Sequence, residues 1–337
     1  MHILHIDTGS KWRGGQQQVW WLLEGLQRSG CLQTLAALPG SELAVRAAEL
    51  SRKGAAVNKL HIVELASTNG RILSFENARI VRDAARACDL IHTHDAHAHT
   101  LAWGAQKISR GDFPPVVVAR RVTFPIPWLG RLKNRQPAWF IAVSAHVQKI
   151  LIASGIAENM TRVVHDGVQI PPHPITAEQR TNARQQLRLG EDRFVLGTLS
   201  SIAPEKMLEP TLRWAATLPE QFNFLLGVPE RQAQSAEAEN LRRLAAELGC
   251  ASRVQLVPVG SSTGALLSAM DTFVYFSRSE GLGSAILLAM AHGLPVMASR
   301  TGGIPEIVSA DETGILIDTA VAGWESAARE AALALAS

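Results

Sequence analysis

Short apolar runs recur along the whole chain, each ending in a polar or glycine-bearing turn and each followed by a stretch of helical period. This alternation limits the fold more than any other feature. Strands separated by helices need crossover connections, and those produce a parallel sheet covered on both faces. Residues 2–6 are the first apolar run. A polar loop over 9–15 follows with three glycines, and 16–28 then sets Val19, Leu22, Leu23 and Leu26 on one helical face. Further strands are predicted at 32–37, 57–60, 90–94, 116–119 and 139–143. Helices are predicted at 41–53 and 74–87, and from the N-cap residue Ser144 to 153. At 170–174 the run Ile-Pro-Pro-His-Pro forbids helix and ladder alike and marks a boundary. The alternation restarts beyond a polar helix at 176–189. Strands are predicted at 194–199, 223–226, 254–257, 272–276 and 295–298, with helices at 208–217, 237–248, 262–270 and 284–291. The 337 residues therefore divide into two doubly wound domains, 1–170 and 171–337. Open α/β sheets bind ligands outside the carboxyl ends of their strands, so a cleft lined by those ends is expected.

Composition removes several classes of function. Lys and Arg total 33 against 30 Asp and Glu, a net charge of +3 with no long like-charge run, so no nucleic-acid partner is expected. Hydrophobic residues at 47 % against 19 % charged exclude a disordered chain. No run of about eighteen apolar residues predicts a membrane span, and the first residues lack a signal-peptide pattern. Cys31, Cys88 and Cys250 are scattered, which fits a reduced, cytoplasmic protein. The segment 124–140 mixes Phe124, Trp128, Trp139 and Phe140 with Arg131, Lys133 and Arg135. It reads either as an ordinary exposed loop or as a patch in peripheral contact with an anionic inner membrane.

Four strand-to-helix turns carry the chemistry. Gly14 and Gly15 open a helix after the first strand, where small residues let an anion reach backbone N–H groups. No GxGxxG spacing is present, so a dinucleotide site is disfavoured. Lys206 follows the strand at 194–199 as a point charge suited to a diphosphate. Glu280-Gly-Leu-Gly-Ser284 leads into the helix at 284–291 and offers a second anion cradle, with Glu280 placed to accept hydrogen bonds from sugar hydroxyls. Arg300-Thr-Gly-Gly-Ile-Pro-Glu306 again permits close backbone approach, with Glu306 expected near the start of a short helix. His92, His94, His97 and His99 look like a metal box, and strand spacing puts His92 and His94 on one face. With no Cys and no acid beyond Asp95, no metal is expected there, and lining an acceptor cleft fits better.

These residues resemble a family. Glu280-Gly-Leu-Gly-(x)5-Ala-Met-Ala-x-Gly-x-Pro-Val, then Thr301-Gly-Gly-Ile-Pro-Glu-Ile-Val308 and Glu312-Thr-Gly-Ile-Leu316, are similar to the C-terminal signature of retaining GT-B glycosyltransferases of glycosyltransferase family 4. Trp12-Arg-Gly-Gly-Gln-Gln17, His92-Thr-His94, Ile141-Ala-Val-Ser144 and His165-Asp-Gly-Val168 extend the resemblance over nearly the whole chain. It implies two Rossmann-like domains, an N-terminal one for the acceptor and a C-terminal one for the donor. It also implies no metal and no cofactor beyond a nucleoside-diphosphate sugar, with UDP ahead of GDP or ADP. The acceptor would be a glycan or a lipid-linked sugar of bacterial lipopolysaccharide or surface polysaccharide.

Carried over residue by residue, Gly14 and Gly15 would abut the donor, and Lys206 would neutralise the leaving diphosphate. Glu280 would clamp sugar hydroxyls, while Gly283, Ser284 and Ala285 would give N–H groups to the diphosphate. Apart from the resemblance, His94 or Asp95 is a candidate to orient an acceptor hydroxyl, neither of them as a base. Two positions depart from the pattern. Ser201 stands where the Arg of an Arg-x4-Lys pair is expected, and Leu288 stands where the second Glu of E-x7-E is expected. Arg120 and Arg121, with His92, are the candidates for compensating charge or acceptor contact. These departures keep a second reading open, a nucleotide-sugar-binding homologue with weak or no transferase activity.

Overall fold

The computed structural model describes residues 1–53, 60–66, 72–126, 138–260, 263–310 and 312–337. They form two compact units, Met1–Asp166 and Gly167–Ser337. The first unit is built on β1 (His2–Ile6), β2 (Leu32–Ala37), β3 (Leu60–Glu64), β4 (Leu90–Thr93), β5 (Val116–Arg120), β6 (Ala138–Ala142) and β7 (Thr161–Val163). All are parallel, in the order β3-β2-β1-β4-β5-β6-β7. The helices are α1 (Gly14–Arg28), α2 (Glu42–Lys53), α3 (Phe75–Ala85), α4 (Ala96–Ile108) and α5 (Ala145–Ala153). Val19, Leu23, Leu35, Leu43 and Leu60 form one core cluster, where α1 and α2 cover the sheet.

The second unit repeats the plan with β8 (Phe194–Leu199), β9 (Phe222–Pro229), β10 (Val254–Val259), β11 (Thr272–Tyr275), β12 (Val296–Ser299) and β13 (Ile315–Ile317), in the order β10-β9-β8-β11-β12-β13. Its helices are α6 (Ala177–Gln186), α7 (Leu208–Ala216), α8 (Ala236–Glu247), α9 (Thr263–Ala269), α10 (Ser284–Ala291) and α11 (Trp324–Leu335). Alternate residues of each strand feed opposite cores. On β11 and just beyond it, Val274 and Phe276 join Trp214, Leu212 and Trp324, whereas Phe273 and Tyr275 join Leu267, Met270 and Ile286. Both sheets reverse strand order once, between β1 and β4 and between β8 and β11. Crevices form at such switch points.

Several expectations shift. The third strand lies at Leu60–Glu64 instead of 57–60, and residues 54–59 lie outside the described residues. Helix α1 begins at Gly14, so Gly14 and Gly15 open it, two residues ahead of the stretch that shows the helical period. Helix α4 was not anticipated; its buried stripe is Ala98, His99, Leu101, Ala102 and Ala105, too poor in large apolar residues to show as a period. Strands β7 and β13 have three residues each, too few for alternation to register. Phe140 is buried and packs its ring edge-on against His99, so it does not belong to a surface patch. Phe124 and Trp139 are exposed, and Trp128, Arg131, Lys133 and Arg135 lie outside the described residues. Among the described residues no helix is long and apolar enough to cross a membrane.

Candidate active site

Most of the candidate site residues fall at strand ends of one unit or the other, chiefly at the two switch points, whereas Leu288 lies within α10 and His97 and His99 within α4. In the second unit, the turn after β8 runs through Ser201 into a 3-10 turn, Pro204–Lys206. The strand β11 ends in Tyr275, and the loop beyond it carries Glu280. Because β8 and β11 are hydrogen-bonded neighbours, these two loops meet. Arg278 N donates to Glu205 O at 2.8 Å, and Ser277 Oγ donates to the same carbonyl at 2.9 Å. Lys206 Nζ then reaches Glu280 Oε2 at 2.5 Å and Tyr275 OH at 3.0 Å, while Tyr275 OH donates to Glu280 Oε2 at 2.8 Å. An ammonium has three donors, so Lys206 keeps one for a further acceptor. Burial, and then the negative charge of Glu280, push the Tyr275 phenol well above its ordinary value.

Sequence reasoning missed Tyr275. The available signal was that it is the only tyrosine in the chain and ends an apolar strand. The Lys206–Glu280 pairing was equally invisible, since 74 residues separate the two.

The Thr301-Gly-Gly turn braces this loop. Gly303 N donates to Glu280 O at 3.0 Å, and Gly302 has φ of +58°. A Cβ on Gly302 would collide with the Glu280 carbonyl oxygen, so only glycine fits. Glu306 closes a 3-10 turn, Ile304–Glu306; it was expected near a helix start.

Helix α10 begins directly after Gly283, with no side-chain cap and no acidic residue in its first turn. Helix α1 shares both properties. By contrast, Ser74, Asp95, Ser144, Thr176 and Ser235 cap α3, α4, α5, α6 and α8. Uncapped N–H groups at the positive end of a helix dipole suit an anion. At Gly14 and Gly15 a Cβ would meet nothing within 4 Å, so no contact of the described chain demands glycine there.

The two departures have clear surroundings. Ser201 lies in the loop before Lys206, where its carbonyl accepts from Ser200 Oγ at 3.0 Å. Leu288 packs on the cluster of Phe273, Ile286 and Ile304, so its side chain serves the core.

In the first unit several assignments change. Asp95 was expected to orient an acceptor hydroxyl. Its carboxylate caps α4 through His97 N and Ala98 N, and also accepts from Thr8 N and Thr8 Oγ1. Arg120 is buried; its guanidinium donates to Phe124 O and lies over the Phe124 ring. Arg121 pairs with Asp166 at 3.1 Å, and its Nη1 has no partner. Both arginines were expected to supply charge to a donor, and both are engaged within their own unit. Asp7, at the end of β1, accepts from Gly9 N at 2.9 Å and from Gln16 Nε2, which fixes the glycine loop. Burial, and then the charge of Asp95, raise its carboxyl to about 6.

The histidines regroup as well. The β1–β4 register sets His5 beside His92, and His94 lies on the same face. His97 is exposed and His99 is buried against Phe140, so neither joins them. Burial lowers His5 to about 3 and His92 to about 4, and places His94 well below its ordinary value; all three rings are neutral.

Comparison with known proteins agrees with this architecture. Residues 12–170 match the model of Glycosyltransferase Family 4, and residues 179–337 match that of Glycosyl transferases group 1. The D-inositol 3-phosphate glycosyltransferase of Mycobacterium tuberculosis strain F11 is 35 % identical over 236 residues, covering 68 % of this chain and 46 % of that protein. The enzyme of the same description from Mycobacterium sp. strain KMS is 31 % identical over 237 residues, covering 69 % and 51 %. The chain thus spans about half the length of the curated relatives it matches. Among solved structures, Anabaena HepE in complex with UDP-glucose superposes with a TM-score of 0.83 at 20 % identity, covering 99 % of this chain and 89 % of that one. The lipopolysaccharide outer core galactosyltransferase WaaB superposes with a TM-score of 0.69 at 16 % identity, covering 94 % and 85 %.

Proposed function

We propose, from the premise that the chain belongs to glycosyltransferase family 4 and the group 1 glycosyl transferases and has the GT-B fold, that it is a retaining glycosyltransferase. It moves a hexose-type sugar from a nucleoside diphosphate, UDP ahead of GDP or ADP, to a glycan or lipid-linked acceptor of bacterial lipopolysaccharide or surface polysaccharide. It works in the cytoplasm or in peripheral contact with the inner membrane.

The Lys206–Tyr275–Glu280 network beside the uncapped start of α10 carries this reading. As the sugar leaves, negative charge gathers on the diphosphate. The free N–H of Lys206 and the N–H groups of Gly283, Ser284 and Ala285 face that charge as fixed donors, with no reorganisation at the moment of reaction. Glu280, held by Gly303 and Tyr275, accepts from sugar hydroxyls. The first unit takes the acceptor. HepE, whose structure contains UDP-glucose, and the galactosyltransferase WaaB support a nucleotide-sugar donor and a glycan acceptor.

Ser201 and Leu288 favour the second reading, a homologue that binds nucleotide sugar with little transfer. Neither side chain brings charge to the donor, and a lost charged hydrogen bond costs about 1.5–3 kcal/mol. Calorimetric titration with UDP, GDP and ADP, followed by release of the diphosphate from its sugars with and without acceptor, separates the two. The expected result is micromolar binding of one diphosphate, weakened at least about tenfold in Lys206→Ala, together with acceptor-dependent release. Binding without release selects the second reading. No binding at millimolar concentration would overturn both.

A further inference from the structure

We infer that the first unit holds a divalent transition-metal ion of the zinc class on His5, His92 and His94. No step of the transfer proposed above depends on it. The parallel register of β1 and β4 places His5 directly beside His92, and the two-residue period of β4 returns His94 to the same face. One nitrogen from each ring lies within 4.8 Å of the others. His5 Nδ1 and His94 Nε2 are 3.1 Å apart, and the rings of His92 and His94 stand 4.2 Å centre to centre. A tetrahedral site with metal–nitrogen bonds of about 2.0–2.1 Å has nitrogen–nitrogen edges of about 3.4 Å. The closest pair already spans such an edge, and the third ring needs to draw in by little more than about 1 Å.

The polar accounting points the same way. His5 Nε2, His92 Nε2 and His94 Nδ1 are all buried with no hydrogen-bond partner, and His5 is fully buried. Buried polar atoms are almost always partnered, so unpaired nitrogens on three adjoining rings need an explanation. Three neutral imidazoles carry three ring protons and three lone pairs, but the cluster contains only the His5–His94 contact to match them. A cation at the facing nitrogens would replace that single contact with a bond to the lone pair of each ring. Arg121, whose charge acts on His92 and His94, is paired with Asp166 at 3.1 Å. An all-nitrogen set without thiolate or carboxylate suits zinc, and also copper or nickel, and is wrong for magnesium or calcium, which take oxygen. His92 is the most accessible of the three rings and is the side from which an ion enters and a solvent ligand completes the shell. A metal here would tie β1 to β4 at the switch point of the first unit.

Cobalt(II) tests this, because its visible absorption reports nitrogen coordination in a four- or five-coordinate site. The full chain, stripped with chelator, is titrated with cobalt(II) chloride, and zinc(II) is then added in competition. The expected result is one equivalent bound, a spectrum that zinc abolishes, and affinity lowered by about a hundredfold or more in His92→Gln. His92 is the partly exposed member, so this variant retains the fold; circular dichroism checks it. Wild-type protein that yields no cobalt spectrum and no zinc uptake against a chromophoric chelator would overturn the site. Unchanged stoichiometry and affinity in folded His92→Gln would overturn it equally, since the bound ion would then sit on other histidines.

Discussion

In the first turn of a helix, alanine is favoured over glycine by up to about 1 kcal/mol. Gly14 and Gly15 forgo that gain although the described chain leaves room for a Cβ at each. The tension predicts a split. Gly15→Ala should hold or raise thermal stability while cutting sugar transfer, measured by melting temperature and by product formation. A fall in both would mean that the glycine serves folding.

Tyr275 offers a second test at this scale, because it is the chain's only tyrosine. In the unfolded chain its phenol ionises near pH 10, whereas in the folded protein burial and Glu280 hold it protonated well above that. Above pH 10 the unfolded state therefore binds fewer protons than the folded one, and stability falls as pH rises. Absorbance at the phenolate band should show no titration in the native protein near pH 10 and a full step in denaturant. Tyr275→Phe should fold, remove that step, and lower turnover more than donor binding, since it loosens Glu280 while leaving Lys206 in place.

Among the elements, the four glycine-bearing or charged turns read from the sequence all sit at carboxyl ends of strands, as the alternation required. Their division of labour was not legible. The Thr301-Gly-Gly turn read as permitting close backbone approach, and the backbone it admits is that of Glu280. The expected consequence is that Gly302→Ala destabilises the second unit by more than about 2 kcal/mol, read from chemical denaturation, because a Cβ and the Glu280 carbonyl cannot share the space. Asp95 looked chemical and is a cap with four hydrogen bonds. A carboxylate before a helix reads alike in both roles; only the start of α4, hidden by its alanine stripe, separates them.

For the whole molecule, each unit has its own sheet and its own cores. Lys206, Tyr275, Glu280 and the start of α10 all belong to Gly167–Ser337. That segment expressed alone should fold and bind the same nucleoside diphosphate as the full chain within roughly tenfold, by calorimetry, and should transfer no sugar. A folded fragment that binds none would show that the donor site depends on the first unit.

The repeating strand and helix periods determined the two doubly wound sheets, because those periods are local and survive without contacts. Glycine and lysine at strand ends likewise marked the neighbourhood of the site, since turn chemistry is local too. Register and packing decided the rest. The sequence shows His92 and His94 two apart, but only strand pairing adds His5 from 87 residues away. Lys206 and Glu280 read as separate agents, and only the adjacency of β8 and β11 makes them one ion pair with the Tyr275 hydroxyl bonded to both. Arg120, Arg121 and Leu288 carried charge or its absence in the sequence; the core and the partners around them fixed what each side chain does, because a buried charge is costly unless it is bonded nearby.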